Sequence, residues 1–180
     1  MVVAVIGTLQ ERKAQDDAIK ACNIARKTIP NIKLLLIGDG NEEYKNYLHE
    51  VVNRLDMTNH VLFTGYRNDV PQILPYCKVL LVPSWNEPFG RVVIEAMAAG
   101  IPVIGSNAGG VKEIIQDGVT GYLVTPKDPQ KIAEKVIYLY HHPELAKSMG
   151  NEGKNVLIRR FSPQIYIHSV EKVIQQVMSR

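Results

Sequence analysis

The chain has 180 residues, 46% hydrophobic and 22% charged, with 21 Lys and Arg against 18 Asp and Glu. That length suits one domain able to bury a sizeable core. A net charge of +3, spread through the sequence, gives no case for nucleic acid as a partner. No run reaches the ~18 apolar residues of a membrane-spanning helix. The opening residues, Met1 to Gly7, read as a core strand rather than a secretory leader. Cys22 and Cys77 both sit among apolar residues and are expected to be reduced core thiols of a cytoplasmic protein.

Taken in order, short apolar runs alternate with helical patterns. Val2–Ile6 is continuously apolar and ends at Gly7, as a parallel strand covered on both faces does. Residues 13–28 carry Ala14, Ala18, Ala21, Cys22 and Ala25 at helical spacing and stop before Pro30. Lys33–Ile37 predicts a second strand, closed by Gly38-Asp39-Gly40, and residues 42–55 a helix bearing Leu48, Val51 and Leu55. Val61-Leu62-Phe63 is a third strand running to Gly65; a short helix over 70–74 leads to a fourth, Val79–Val82. A helix over Arg91–Ala99, a strand at Val103-Ile104, a helix opening over 110–115 and a last strand, Gly121–Val124, complete the alternation. Six strand-to-helix steps with short connections predict an α/β fold, a doubly wound, Rossmann-like parallel sheet of six strands over about residues 1–128. Helices over 131–140, 143–159 and 164–178 follow, within a single domain spanning 1–180. The last is amphipathic, without a dense basic face, and is expected to pack on protein rather than membrane.

The strands end in glycine or a small residue at Gly7, Gly38, Gly65, Ser84 and Gly105, which lets a ligand approach the backbone along one crevice. Gly38-Asp39-Gly40 is only half of a dinucleotide fingerprint and follows the second strand, so it does not argue for a nicotinamide cofactor. Lys13, read as starting the first helix, could reach a phosphate with help from the helix dipole. The amides of Phe89, Gly90, Arg91 and Val92 open the helix containing Glu95 and form a second anion cradle. Glu87 and Glu95 would lie roughly 10 Å apart along that helix axis, too far for a retaining hydrolase pair but suited to two ends of one ligand.

The block Pro83-Ser84, Glu87-Pro88-Phe89-Gly90, residues 95–104 from Glu95 through Gly100-Ile101-Pro102, Gly109-Gly110-Val111-Lys112-Glu113 and Asp117-Gly118-Val119-Thr120-Gly121 closely resembles retaining glycosyltransferases of the GT-B fold, glycosyltransferase family 4. Glu87 and Glu95 form that family's Glu-x7-Glu element. The resemblance runs from Gly7 to about Phe161 and covers only the C-terminal, donor-binding half. It implies a missing N-terminal Rossmann domain for the acceptor, in the same enzyme or a separate subunit, through which the full enzyme could associate peripherally with a membrane.

Carried over, the resemblance implies that Glu87 hydrogen-bonds the donor sugar, the amides after Phe89 hold the distal phosphate, and Glu95 binds the ribose hydroxyls. Lys13 would neutralise the diphosphate leaving group. The backbone at Gly65, Tyr66 and Arg67 would line the base pocket, with Arg67 able to stack on the base. The family usually has Gly-Arg-Leu after the first strand, where this chain has Gly7-Thr8-Leu9; either Arg12 supplies the missing charge from the same loop or donor binding is weakened. The implied donor is a nucleotide-diphosphate sugar such as a UDP-, GDP- or ADP-sugar, with no further cofactor. No Asp-x-Asp element or histidine cluster suggests a metal. Two other readings keep the fold: a non-catalytic nucleotide-sugar-binding or assembly module, and a GT-B phosphorylase or epimerase.

Overall fold

A computed structural model describes residues 1–178. Six strands form one sheet: β1 (Val2–Ile6), β2 (Lys33–Ile37), β3 (Val61–Gly65), β4 (Val79–Val82), β5 (Val103–Ser106) and β6 (Gly121–Val124). Their order is β3-β2-β1-β4-β5-β6, with every pairing parallel. All four residues of β4 are buried, so a run of Val and Leu serves both faces at once. The chain winds outward from β1 to β3, then returns to β4 on the other side of β1. Winding therefore reverses between β1 and β4, the point at the carboxyl edge of the sheet where folds of this kind place their ligand crevice.

The helices are α1 (Gln15–Ala25), α2 (Glu42–Arg54), α3 (Val70–Ile73), α4 (Arg91–Ala99), α5 (Val111–Ile114), α6 (Pro129–His141), α7 (Pro143–Phe161) and α8 (Pro163–Met178). On one face Ile19, Cys22, Leu48, Val51, Ile132 and Val136 of α1, α2 and α6 pack against Val3, Val5, Leu34 and Leu81. On the other, Val93, Met97, Val111 and Ile114 of α4 and α5 pack against Ala4, Leu80, Val82 and Val103. Local chemistry starts α2 and α6: Asn41 accepts the Tyr44 amide and Asp128 the Lys131 amide, each at 2.9 Å.

Helices α6 and α7 are layers of this sandwich, not an appendage to it. A Cβ on Gly150 of α7 would stand 1.9 Å from the Gly100 carbonyl oxygen, so only glycine lets the two backbones meet there. Helix α8, by contrast, leaves Ile165, Ile167, Val173, Ile174 and Val177 exposed. Among the described residues no helix is long and apolar enough to cross a membrane. Cys22 and Cys77 are both free and buried, as expected.

Two expectations need correction. The first helix does not start at Lys13: Glu11–Lys13 is a 3₁₀ turn, Ala14 takes a left-handed conformation (φ 51°), and α1 begins at Gln15. Tertiary ties impose this break, because the Trp85 amide donates to the Arg12 carbonyl (2.9 Å) and Gln15 Nε2 to the Thr8 carbonyl (3.0 Å). Gly105 does not end β5, which continues to Ser106. A Cβ there would lie 2.6 Å from Val111 Cγ1 and 2.7 Å from Ile115 Cδ1, so this glycine admits α5 rather than a ligand.

Candidate functional site

The loops leaving β1 and β4 meet across the crevice. Lys13 Nζ and Glu87 Oε2 form an ion pair whose side chains are only 14% and 13% exposed. Arg12 lies exposed beside it and donates to the Asn86 carbonyl at 3.3 Å. With the Trp85–Arg12 backbone bond, three contacts clasp the two loops into one unit. Glu87 is supported from behind by the turn before α5, where the Gly110 amide donates to its carbonyl at 2.7 Å. Thr8 is exposed next to Gly7 and carries no charge of its own.

Helix α4 opens on this clasp. Its N-cap residue, Gly90, has φ 83°, a conformation that disfavours any side chain, and no side chain caps the first turn. The Arg91 and Val92 amides are thus left for an anion, and the helix dipole adds positive potential there. Phe89 stands 56% exposed at the rim. Glu95 is the fifth residue of α4, half-buried, with no hydrogen bond or ion pair among the described residues. An unspent carboxylate at that depth can accept two hydroxyl hydrogen bonds.

At the far end of the crevice the ends of β1, β2 and β3 stand side by side. The Gly7 amide donates to the Ile37 carbonyl and the Gly38 amide to the Gly65 carbonyl, both at 2.9 Å. Tyr66 is 79% exposed. Arg67 is held flat by Asp69, through Nε at 2.8 Å and Nη2 at 2.5 Å, and in return keeps the Asp69 carboxyl below its ordinary value. The structure therefore brings Gly7, Thr8, Arg12, Lys13 and Glu87 together, sets the α4 amides and Glu95 along one wall, and places Gly38, Gly65, Tyr66 and Arg67 at the far end.

Beneath the clasp lies a layer that sequence reasoning missed. Trp85 lies under Lys127, whose Nζ is 3.9 Å from the ring centroid and whose backbone is left-handed (φ 62°). Asp17 and Gln15 are buried at the start of α1. Burial, reinforced by neighbouring Asp16, raises the Asp17 pKa above its ordinary 3.8, although Lys20 and the nearby Trp85 indole oppose the rise. Asp17 Oδ2 and Trp85 Nε1 have no well-formed hydrogen bond despite that proximity. The one signal available was Trp85 itself, the single tryptophan, standing inside the most distinctive stretch of the sequence. Among the described residues no three His, Cys, Asp or Glu side chains are grouped to hold a metal ion.

Residues 1–156 match the family described as glycosyl transferases group 1. N-acetyl-alpha-D-glucosaminyl L-malate synthase of Bacillus anthracis is 36% identical over 146 residues, 81% of this chain and 38% of that protein. Anabaena HepE, solved with UDP and with UDP-glucose, superposes with a TM-score of 0.88 at 30% identity, covering 99% of this chain and 48% of HepE. The C-terminal domain of LpcC from Francisella tularensis, solved by itself, superposes with a TM-score of 0.83 at 26% identity, covering 90% of this chain and 86% of that one. The chain thus spans half or less of its full-length relatives but nearly all of an isolated C-terminal domain, and it belongs to the glycosyl transferases group 1 family as one half of a GT-B fold.

Proposed function

We propose that this domain binds the donor of a retaining, metal-independent glycosyltransferase, which moves a sugar from a nucleotide-diphosphate sugar to a glycan, lipid or other acceptor. The observation that carries this reading is the Lys13–Glu87 pair, set across the β1–β4 crevice beside the uncapped amides of α4. HepE, which shares the fold, was solved with UDP and UDP-glucose, and this supports a nucleotide-sugar ligand.

The roles follow from charge. As the bond from the sugar to the diphosphate breaks, its electron pair leaves with the phosphate oxygen and positive charge spreads over the sugar ring. In this reading the Lys13 ammonium and the Arg91 and Val92 amides take up the developing negative charge, and such preorganised groups contribute most to this kind of step. Arg12 adds a second cation, so the protein's own charges can do what a metal ion would otherwise do. Glu87 orients the sugar and Glu95 the ribose. The glycine ends of β2 and β3, with Tyr66 and Arg67, line the base.

An N-terminal acceptor half would close the cleft and exclude water, and any membrane association would belong to that half. The exposed apolar residues of α8 supply a surface for it. The two buried thiols support a reducing, cytoplasmic setting. Alone, the domain is expected to bind donor weakly and not to transfer sugar. Calorimetry with UDP-, GDP- and ADP-sugars tests the reading: one of the three should bind, and binding by none overturns it. Glu95→Ala should weaken the nucleotide that binds; unchanged affinity would remove the ribose role.

A further inference from the structure

A cavity of about 560 Å³ opens at the same carboxyl edge of the sheet but over α1 and α2. That volume is within the range of small-molecule sites. Its lining comes from Gln10 and Glu11 after β1, Asn41 and Glu43 at the cap and first turn of α2, and Trp85 after β4. Asp16 at the start of α1 completes one wall. Tyr44 and Tyr47, with ring centroids 5.6 Å apart, complete another.

The chemistry of this lining is unlike that of the donor crevice. Three carboxylates line it, Lys20 offsets only Asp16 of the three, and Glu11 and Glu43, unpaired among the described residues, disfavour a phosphate or nucleotide. Asp16 is buried, bonded to Lys20 Nζ at 2.6 Å and to the Tyr47 hydroxyl at 3.3 Å, which fixes it in place. Three aromatic rings, two amide side chains, the fixed Asp16 and two further carboxylates suit a ring with apolar C–H faces and a rim of hydroxyl donors. The Tyr44 hydroxyl and Trp85 indole N–H, on two of the lining residues, are themselves buried, so those two residues offer ring surface, and the amides and carboxylates offer the polar contacts.

We propose that this cavity is a carbohydrate subsite separate from the donor crevice, taking one uncharged pyranose unit of a glycan. Trp85 joins the two sites, since it lines the cavity and stands two residues before Glu87. The part it plays in presenting a glycan rests on the donor reading; the binding itself does not.

Trp85 is the only tryptophan in the chain, so its fluorescence reports the cavity directly. The full chain, saturated with UDP, is titrated with methyl α-D-glucopyranoside and with N-acetylglucosamine. The expected result is a saturable change at millimolar sugar that UDP-glucose does not abolish. Tyr47→Ala and Gln10→Ala should each weaken it roughly tenfold while leaving UDP binding as it was. Glucose 1-phosphate should give no response. No saturable change with either sugar, a change abolished by UDP-glucose, or an equal response to glucose 1-phosphate would each overturn the proposal. UDP binding is measured on the same samples by calorimetry, with GDP and ADP run beside it, so a failed sugar titration with intact nucleotide binding removes the subsite alone, and a saturable sugar response with none of the three nucleotides bound removes the donor reading alone.

Discussion

Lys13 and Glu87, 74 residues apart in sequence, meet as a largely buried ion pair that closes the β1 loop onto the β4 loop. The two charges have opposite effects on a diphosphate. Lys13→Ala is expected to weaken UDP by about 10- to 100-fold, the usual loss for a charge-assisted hydrogen bond. Glu87→Gln removes a negative charge from beside the phosphates and should tighten UDP by up to about tenfold, while UDP-sugar gains less. Calorimetry on both variants separates these outcomes. Equal loss of UDP in both would mean that the pair acts only as a clasp.

Thr8 stands exposed at the mouth of the same loop with no charge, and Arg12 is engaged with the Asn86 carbonyl. Thr8→Arg should therefore tighten UDP by about tenfold through a charged, two-pronged contact. Unchanged affinity would show that Arg12 already fills that role.

Asp17 gives a pH dependence with a definite sign. Its pKa is raised in the folded protein, chiefly by burial and then by Asp16. The folded state thus holds the proton more tightly than the unfolded chain does, and the associated stability is full below 3.8 and lost as pH rises through the folded value. Above the folded value the ionised, buried carboxylate is a cost. Asp17→Asn should be more stable than the parent near pH 7, with the difference shrinking as pH falls toward 3.8. Urea unfolding of both proteins across that window is the check; a constant difference would assign the effect to packing.

Helix α2 ends in a turn that asks for glycine and receives aspartate. The Met57 amide donates to the Val52 carbonyl at 2.9 Å and the Asp56 amide to the Asn53 carbonyl at 3.0 Å, with Asp56 exposed at φ 52°. Its left-handed backbone is strained, and its negative charge sits just past the carboxyl end of the helix. Relief of both outweighs the extra chain entropy of glycine, so Asp56→Gly should stabilise the domain by about 0.5–1 kcal/mol. Thermal unfolding would register this as a higher midpoint.

The sheet was readable because buried parallel strands are unbroken apolar runs; Val79–Val82 has no other plausible fate. Helix α4 was readable because Gly90 and Gly100 mark its ends. The turn at Ala14 was not, since alanine is the best helix former and the ties that stop it come from Trp85 and Thr8, one of them remote. The Trp85 layer was hidden for the same reason. Asp17, Trp85 and Lys127 come from three separate parts of the chain and share no periodicity. Gly105 misled because a glycine near a strand end looks the same whether it faces a ligand or a helix.

The contact between Gly150 and Gly100 makes the tail of the chain part of the site's mechanics. Backbone against backbone leaves no side chain to yield between α7 and α4. Helix α8 continues from α7 and carries the largest run of exposed apolar residues. Whatever docks on α8 is thereby joined through α7 to the end of the helix that carries Glu95, with the extended Ser162 between α7 and α8 as the break in that path.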